Sequence, residues 1–217
     1  MGGDGEKTIT AIESQVRRKD RVSIFLNGEF ALGVHAEVAA ALFLGVGQRI
    51  TEERLKEIVR AETFAKARDR AFLLLSYRPR TEKEVRDRLA RAGYEEDVVE
   101  EVVAKLYELD FLDDKAFAER FVENRMATRP VGRRALTWEL RKKGLDAETV
   151  AEAAESVDEE TEREGALAAA RSRVGRMAGL DRREARRKLT AFLQRRGFAW
   201  DTIHGVLDEI LPSTDAG

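Results

Sequence analysis

The residues in this sequence best suited to chemistry are its arginines, and the chemistry they suit is recognition of anions. From Arg125 to Lys143 the basic residues Arg125, Arg129, Arg133, Arg134, Arg141, Lys142 and Lys143 face one acid, Glu139. From Arg171 to Arg196 the excess is larger, with Arg171, Arg173, Arg176, Arg182, Arg183, Arg186, Arg187, Lys188, Arg195 and Arg196 set against Asp181 and Glu184. A guanidinium presents two parallel N–H donors to a carboxylate or a phosphate, so a stripe of them can track a nucleic-acid backbone or an acidic protein groove. The competing reading is a solvated helix face whose charges are met by neighbouring acids. Both readings stand for the first of these clusters; for the second, where the acids are few, binding is favoured.

Bond-making chemistry has no comparable support. His35 and His204 lie far apart in the chain, with no Cys and no paired-carboxylate motif beside them, and each reads as structural or solvated. There is no Gly-rich phosphate loop with Lys and Ser/Thr, no Gly-x-Ser-x-Gly elbow and no His-Glu-x-x-His. Gly45-Val46-Gly47 lacks the third glycine of a dinucleotide turn and reads as a helix stop. Asp158-Glu159-Glu160 reads as a helix start before it reads as a cation site. A non-enzyme without cofactor or metal is expected.

The elements that must carry the arginines repeat. Val85 and Leu89 are followed by Gly93 and Tyr94, Leu136 and Leu140 by Gly144 and Leu145, and Leu189 and Leu193 by Gly197 and Phe198. Apolar residues four apart share one helix face, and the glycine falls where a helix end takes up positive φ. Past each glycine a further apolar stripe begins: Val99, Val103 and Leu106, then Val150, Ala154 and Val157, then Ile203, Leu207 and Ile210. Ahead of each copy runs another short helix, from Ala71 to Arg78, Ala118 to Arg125 and Ala166 to Arg173. The unit is therefore three helices, used three times at a period of about fifty residues, and neighbouring units must stack to bury enough surface. Within a unit the middle helix is basic and the last tends to be acidic.

The 217 residues, 43% of them hydrophobic, suffice for one or two domains, and the formal charge of -2 conceals the segregation just described. No Cys is present and no apolar run reaches the roughly twenty residues a bilayer requires. The polar start, Met1 to Lys7, lacks the apolar core of a signal peptide, so a cytoplasmic protein is expected. Ile9 to Val16 has strand character, Arg17 to Arg21 reads as a turn, and Val22, Ile24 and Leu26 lead through Asn27-Gly28 to Phe30, Leu32 and Val34. Asn-Gly between alternating apolar residues is a strong hairpin signal, so a three-stranded antiparallel meander is expected. A helix over Ala36 to Leu44 follows, then a longer one capped by Thr51 that either runs on or bends near Thr63. Thr81 to Glu84 reads as a capping box. Phe111, Phe117 and Phe121 are expected in the core, while Trp138 and Trp200 serve either packing between repeats or a partner surface. The predicted class is mainly α: a tandem array of three three-helix, helix-turn-helix-like repeats with a small N-terminal antiparallel β meander plus helix. Its divisions fall at 1–62, 63–112, 113–160 and 161–211, with a disordered tail over 212–217.

Laid out this way, the sequence resembles the RecX family of RecA recombinase regulators. The resemblance rests on Arg21 to Phe30, on Arg80 to Leu89, on Phe111-Leu112-Asp113-Asp114 with Phe117-Ala118 and Phe121-Val122, and on Gly132 with Leu136 to Gly144. It implies binding to the RecA filament on single-stranded DNA, within the filament groove. There such a protein restrains strand exchange, ATP hydrolysis and cleavage of the SOS repressor, with direct DNA binding a secondary property. The family supplies no fixed catalytic motif to carry over. Charge and repeat position nominate Arg86, Arg133, Arg134, Arg141, Lys142, Arg183, Arg186, Arg187, Lys188, Arg195 and Arg196 as the partner-binding residues of an expected monomer. The competing functions are a helix-turn-helix repeat protein acting on DNA directly and a plain helical scaffold.

Overall fold

The computed structural model describes residues 6–177 and 179–211, and the expected disordered tail lies outside them. The chain divides into two compact units. One runs up to Arg78 and resumes over Arg86–Leu109; the other comprises Pro79–Val85 and the chain from Asp110 on.

In the first unit β1 (Lys7–Gln15), β2 (Arg18–Leu26), β3 (Glu29–His35) and β4 (Arg49–Ile50) form an antiparallel sheet in the order β3-β2-β1-β4. Asn27 and Gly28 take φ of 51° and 86°, as a two-residue turn with the twist of its flanking strands requires. The meander thus has a fourth, two-residue strand, which pairs Lys7 with Ile50 and covers part of the free edge of β1. The turn expected over Arg17 to Arg21 is tighter, because Gln15 already pairs with Arg18. Arg18, Lys19 and Asp20 remain exposed at the strand end, whereas Arg21 is buried. Ile9, Ile24, Leu26 and Val34 pack with Val38 and Ala39 of α1 (Ala36–Ala41) and with Ile58 and Ala65 of α2 (Glu52–Tyr77). The first helix ends at Ala41, ahead of the glycines, and Phe43 just beyond it adopts φ 51°.

The second helix runs unbroken for 26 residues, its Thr51 side chain accepting from the Arg54 N–H at 3.2 Å. We expect Thr51→Ala to cost about 1 kcal/mol, the usual value of a lost helix cap. Urea unfolding followed by circular dichroism measures it; an unchanged midpoint would show that the cap is dispensable.

Three tandem three-helix units follow. The first uses the end of α2 with α3 (Glu82–Ala90) and α4 (Glu96–Glu108). The second is α5 (Asp114–Thr128), α6 (Arg133–Lys142) and α7 (Ala147–Glu155). The third is α8 (Glu159–Val174), a 3-10 turn, α9 (Arg182–Arg195) and α10 (Trp200–Ile210). Each middle helix ends alike: Gly93, Gly144 and Gly197 have φ of 88°, 88° and 79°. The next N–H in each case reaches back to the carbonyl of Leu89, Leu140 or Leu193. This is a Schellman ending, and it turns Tyr94, Leu145 and Phe198 back toward their own unit. Leu145 and Phe198 are buried; Tyr94 is half-buried. The apolar stripes read from the sequence are the cores, with Leu136, Leu140 and Val150 in one cluster and Leu189, Leu193, Ile203 and Leu207 in the next. Phe117 and Phe121 pack against the first of these, but Phe111 is 54% exposed, because it sits in the link before α5.

Within the second of the two compact units the start of one middle helix meets the end of the next. The Thr81 hydroxyl donates to the Lys143 carbonyl at 2.8 Å, and Lys143 Nζ pairs with Glu84 at 2.6 Å. The Gly132 N–H donates to the Arg196 carbonyl at 2.9 Å. Gly132 and Gly197 approach so closely that a Cβ on Gly132 would overlap the Gly197 carbonyl. In the third unit the middle helix begins with an extra turn, Arg182 to Ala185, so that Ala185 and not a glycine occupies the place of Gly132. Terminal members of repeat arrays are atypical in this way.

Candidate functional site

The basic residues on the middle helices separate into two groups once their surroundings are known. In the first group the side chain is engaged inside the protein. Arg86 pairs with Glu96 at 3.1 Å and lies 3.9 Å from Glu100. Arg133 has Nε 3.6 Å from Glu162, whose other oxygen accepts the Arg133 backbone N–H at 3.1 Å. Arg186 bonds Asp208 at 2.7 Å, and Lys188 bonds Glu184 one turn earlier at 2.7 Å. Arg196 is half-buried, donates to the Pro130 carbonyl at 3.0 Å and lies over the Phe192 ring. Arg86, Arg133 and Arg186 tie helices together, and acids of the last helices that the sequence separated from the arginines return to meet Arg86 and Arg186.

The second group is exposed and, among the described residues, has no carboxylate within ion-pairing distance: Arg134, Arg141 and Lys142 on α6, and Arg183, Arg187 and Arg195 on α9. On α6 the positions 134, 138, 141 and 142 fall within one helical face, since steps of three and four residues return to the same side. Position 138 is Trp138, 62% exposed, with Lys142 Nζ 5.0 Å from its ring centroid. The Lys142 cation therefore sits on the π-face of an aromatic ring that points away from the Leu136 and Leu140 core. Exposed Trp flanked by Arg is the composition of an interface hot spot.

The sequence held the signal for Trp138 in its spacing from Arg134 and Lys142, but without burial that spacing could not separate a partner surface from packing between repeats. Trp200 is also exposed, at 51%, and lies 4.4 Å from the His204 ring, centroid to centroid.

One buried cluster escaped the sequence reading. His35 is 5% exposed, with Nδ1 2.9 Å from Glu62 and Nε2 3.0 Å from Asp69. Arg21 reaches the same Glu62 at 2.7 Å and the Gly33 carbonyl at 2.7 Å. Burial pushes the Glu62 carboxyl up, but bonds from the His35 N–H, the His35 ring and Arg21 outweigh it and hold the group below its ordinary value. This is a structural lock between β2, β3 and α2. The partners are 14, 27 and 34 residues apart, so no local pattern announces them. Asp158 likewise serves structure, capping α8 by accepting from the Thr161 N–H at 2.8 Å.

No described helix is long and apolar enough to cross a membrane. Comparison with known families matches four segments: residues 7–51 to the N-terminal domain of regulatory protein RecX, and 67–106, 113–153 and 160–207 to the first, second and third three-helix domains of RecX. A regulatory protein RecX of Clostridium botulinum (strain Eklund 17B) is 32% identical over 205 residues, spanning 94% of this chain and 96% of its own. One of Bacillus velezensis is 34% identical across 93% of this chain and 76% of its own. A crystal structure of regulatory protein RecX superposes with a TM-score of 0.81 at 28% identity, covering 93% of this chain and 99% of that one. Another, from Lactobacillus salivarius, gives 0.64 at 30% identity over 69% and 97%. Agreement at every domain, over nearly the whole length and in three dimensions, places this chain in the RecX family of regulatory proteins.

Proposed function

We propose that this protein is a non-enzymatic regulator that binds the RecA filament on single-stranded DNA, in the filament groove, and restrains its activities. The observation that carries the reading is the exposed face of α6, where Arg134, Arg141 and Lys142 surround Trp138 with no carboxylate of the described protein to neutralise them. Cations kept unpaired in a chain with 41 acidic residues are available to an external anion. The further cations Arg183, Arg187 and Arg195 on α9 supply a second point of contact. Linked contacts on a polymer of identical subunits add through effective concentration, so an assembled filament should be held far better than a free subunit. Filament binding would make strand exchange, ATP hydrolysis and repressor cleavage the activities affected, in the cytoplasm and by a monomer.

Co-sedimentation with nucleated filaments, compared with free recombinase, tests this directly. Trp138→Ala should weaken filament capture by about 2 kcal/mol, roughly 30-fold, as loss of an anchoring Trp does. Arg134→Ala with Arg141→Ala should weaken it further, and unchanged capture by both variants would remove α6 from the contact. Direct action on DNA is the second reading, because an aromatic among arginines also suits a stacked base. Tight binding to naked DNA with a steep salt dependence, and no preference for filaments, would favour that reading.

A further inference from the structure

Four arginines from two neighbouring repeats meet where Gly132 lies against Gly197. Arg125 is in the last turn of α5 and Arg129 directly follows that helix, Arg173 is in the last turn of α8, and Arg196 directly follows α9. Arg125 donates from Nη1 to the Arg129 carbonyl at 2.5 Å, and Arg196 donates from Nη1 to the adjoining Pro130 carbonyl at 3.0 Å. Arg173 and Arg196 both lie over the ring of Phe192, 5.4 and 4.8 Å from its centroid. Two consecutive carbonyls and one ring thus hold the Arg125, Arg173 and Arg196 side chains in one locality, and the positive charge of Arg129 also acts on Arg196.

Their charge is poorly answered. Among the described residues Glu139 is the single carboxylate within ion-pairing distance of any of the four, and both its oxygens are occupied by Arg125, at 2.8 Å each. Burial, with the positive charges of Arg129, Arg125 and Arg173, holds the Arg196 guanidinium below its ordinary value. Like charges gathered this closely repel one another, and an anion among them would remove the repulsion.

We propose that this seam between the second and third repeats is a binding site for a phosphate group. A carboxylate has two oxygens and is satisfied by one guanidinium, as Glu139 is by Arg125. Three further guanidiniums, on Arg129, Arg173 and Arg196, match an anion with more acceptor oxygens, and Arg binds phosphate through paired parallel N–H donors. The group can belong to a small phosphate compound or to a phosphodiester backbone; the chemistry at the seam is the same. The proposal stands apart from filament capture, since it concerns the protein alone.

Calorimetric titration of the full chain with inorganic phosphate, at constant ionic strength made up with chloride, tests it. A parallel titration uses a short single-stranded oligothymidylate. Arg129→Gln with Arg173→Gln leaves the Arg196 bond to Pro130 untouched and should weaken binding at least tenfold. Lys115→Gln with Arg163→Gln, two cations already paired with Glu152 and Glu209, should change it less than twofold. If the double variant does not fold, Arg129→Gln alone, at an exposed position, serves with a smaller expected loss. Seam-dependent binding of inorganic phosphate identifies a small phosphate ligand, and seam-dependent binding of the oligonucleotide alone identifies a backbone phosphodiester; either supports the site. Binding of neither, equal binding by wild type and seam variant, or seam-dependent binding of polyglutamate alone overturns it. Failure of the wild-type protein to capture filaments while it still binds phosphate would count against the proposed filament binding and leave the seam intact.

Discussion

Glu62→Ala is expected to destabilise the N-terminal part of the protein by about 3–5 kcal/mol, the cost of removing one partner from a buried ion pair. The carboxylate is 4% exposed and receives Arg21, the His35 backbone N–H and the His35 ring together. Without it a guanidinium that is itself buried loses its counter-charge. Arg21→Met combined with Glu62→Leu should recover most of the loss, because an apolar pair of similar size incurs no desolvation penalty. Denaturant unfolding of the three proteins measures both effects. Equal stability of Glu62→Ala and wild type would mean that the cluster is solvated after all.

The same group sets an acid limit. Its folded-state value lies below the ordinary 4.5, so the unfolded chain takes up the proton first as pH falls. The stabilisation is therefore complete above about pH 4.5 and is lost as pH drops through the lower folded value. A Glu62→Gln variant should lose that acid-side slope while keeping whatever the other carboxylates contribute.

Gly132→Ala carries the second large effect, about 3 kcal/mol from overpacking against groups that cannot move aside. The atoms a Cβ would meet belong to the backbone of Gly197 and Phe198, not to the end of a flexible side chain, so no rotamer relieves the clash. The bond from the Gly132 N–H to the Arg196 carbonyl would be lost as the two repeats part. Each repeat keeps its own apolar cluster, so the damage falls on the coupling between them. Trp138 and Trp200 report on the two repeats separately. In single-Trp proteins the urea transitions of the two should coincide in the parent and separate in Gly132→Ala. Gly93→Ala is the control: φ is 88° there but nothing lies within 4 Å, so only the left-handed strain of about 1 kcal/mol is expected.

Much of this architecture was legible in the sequence. Leucines four apart followed by glycine specify a helix with one apolar face and a left-handed end, and Asn27-Gly28 specifies its hairpin. These are properties of neighbouring residues, decided by backbone sterics and side-chain direction over a turn or two. The three repeats and their cores could be read because each is built from such short-range patterns.

The fate of the arginines could not be read in that way. Arg86 and Arg134 occupy similar middle helices, yet one is answered by Glu96 and the other projects without a partner among the described residues. Arg133 is met by Glu162, 29 residues on, and Arg196 by Pro130, 66 residues back. Only the packing of separate helices decides which charges are consumed inside the protein and which remain outside, because an ion pair depends on distance in space while a helical pattern records only position along one chain segment. The seam of four arginines, the contact of Gly132 with Gly197 and the joining of Arg21, His35, Glu62 and Asp69 are decided at that same level.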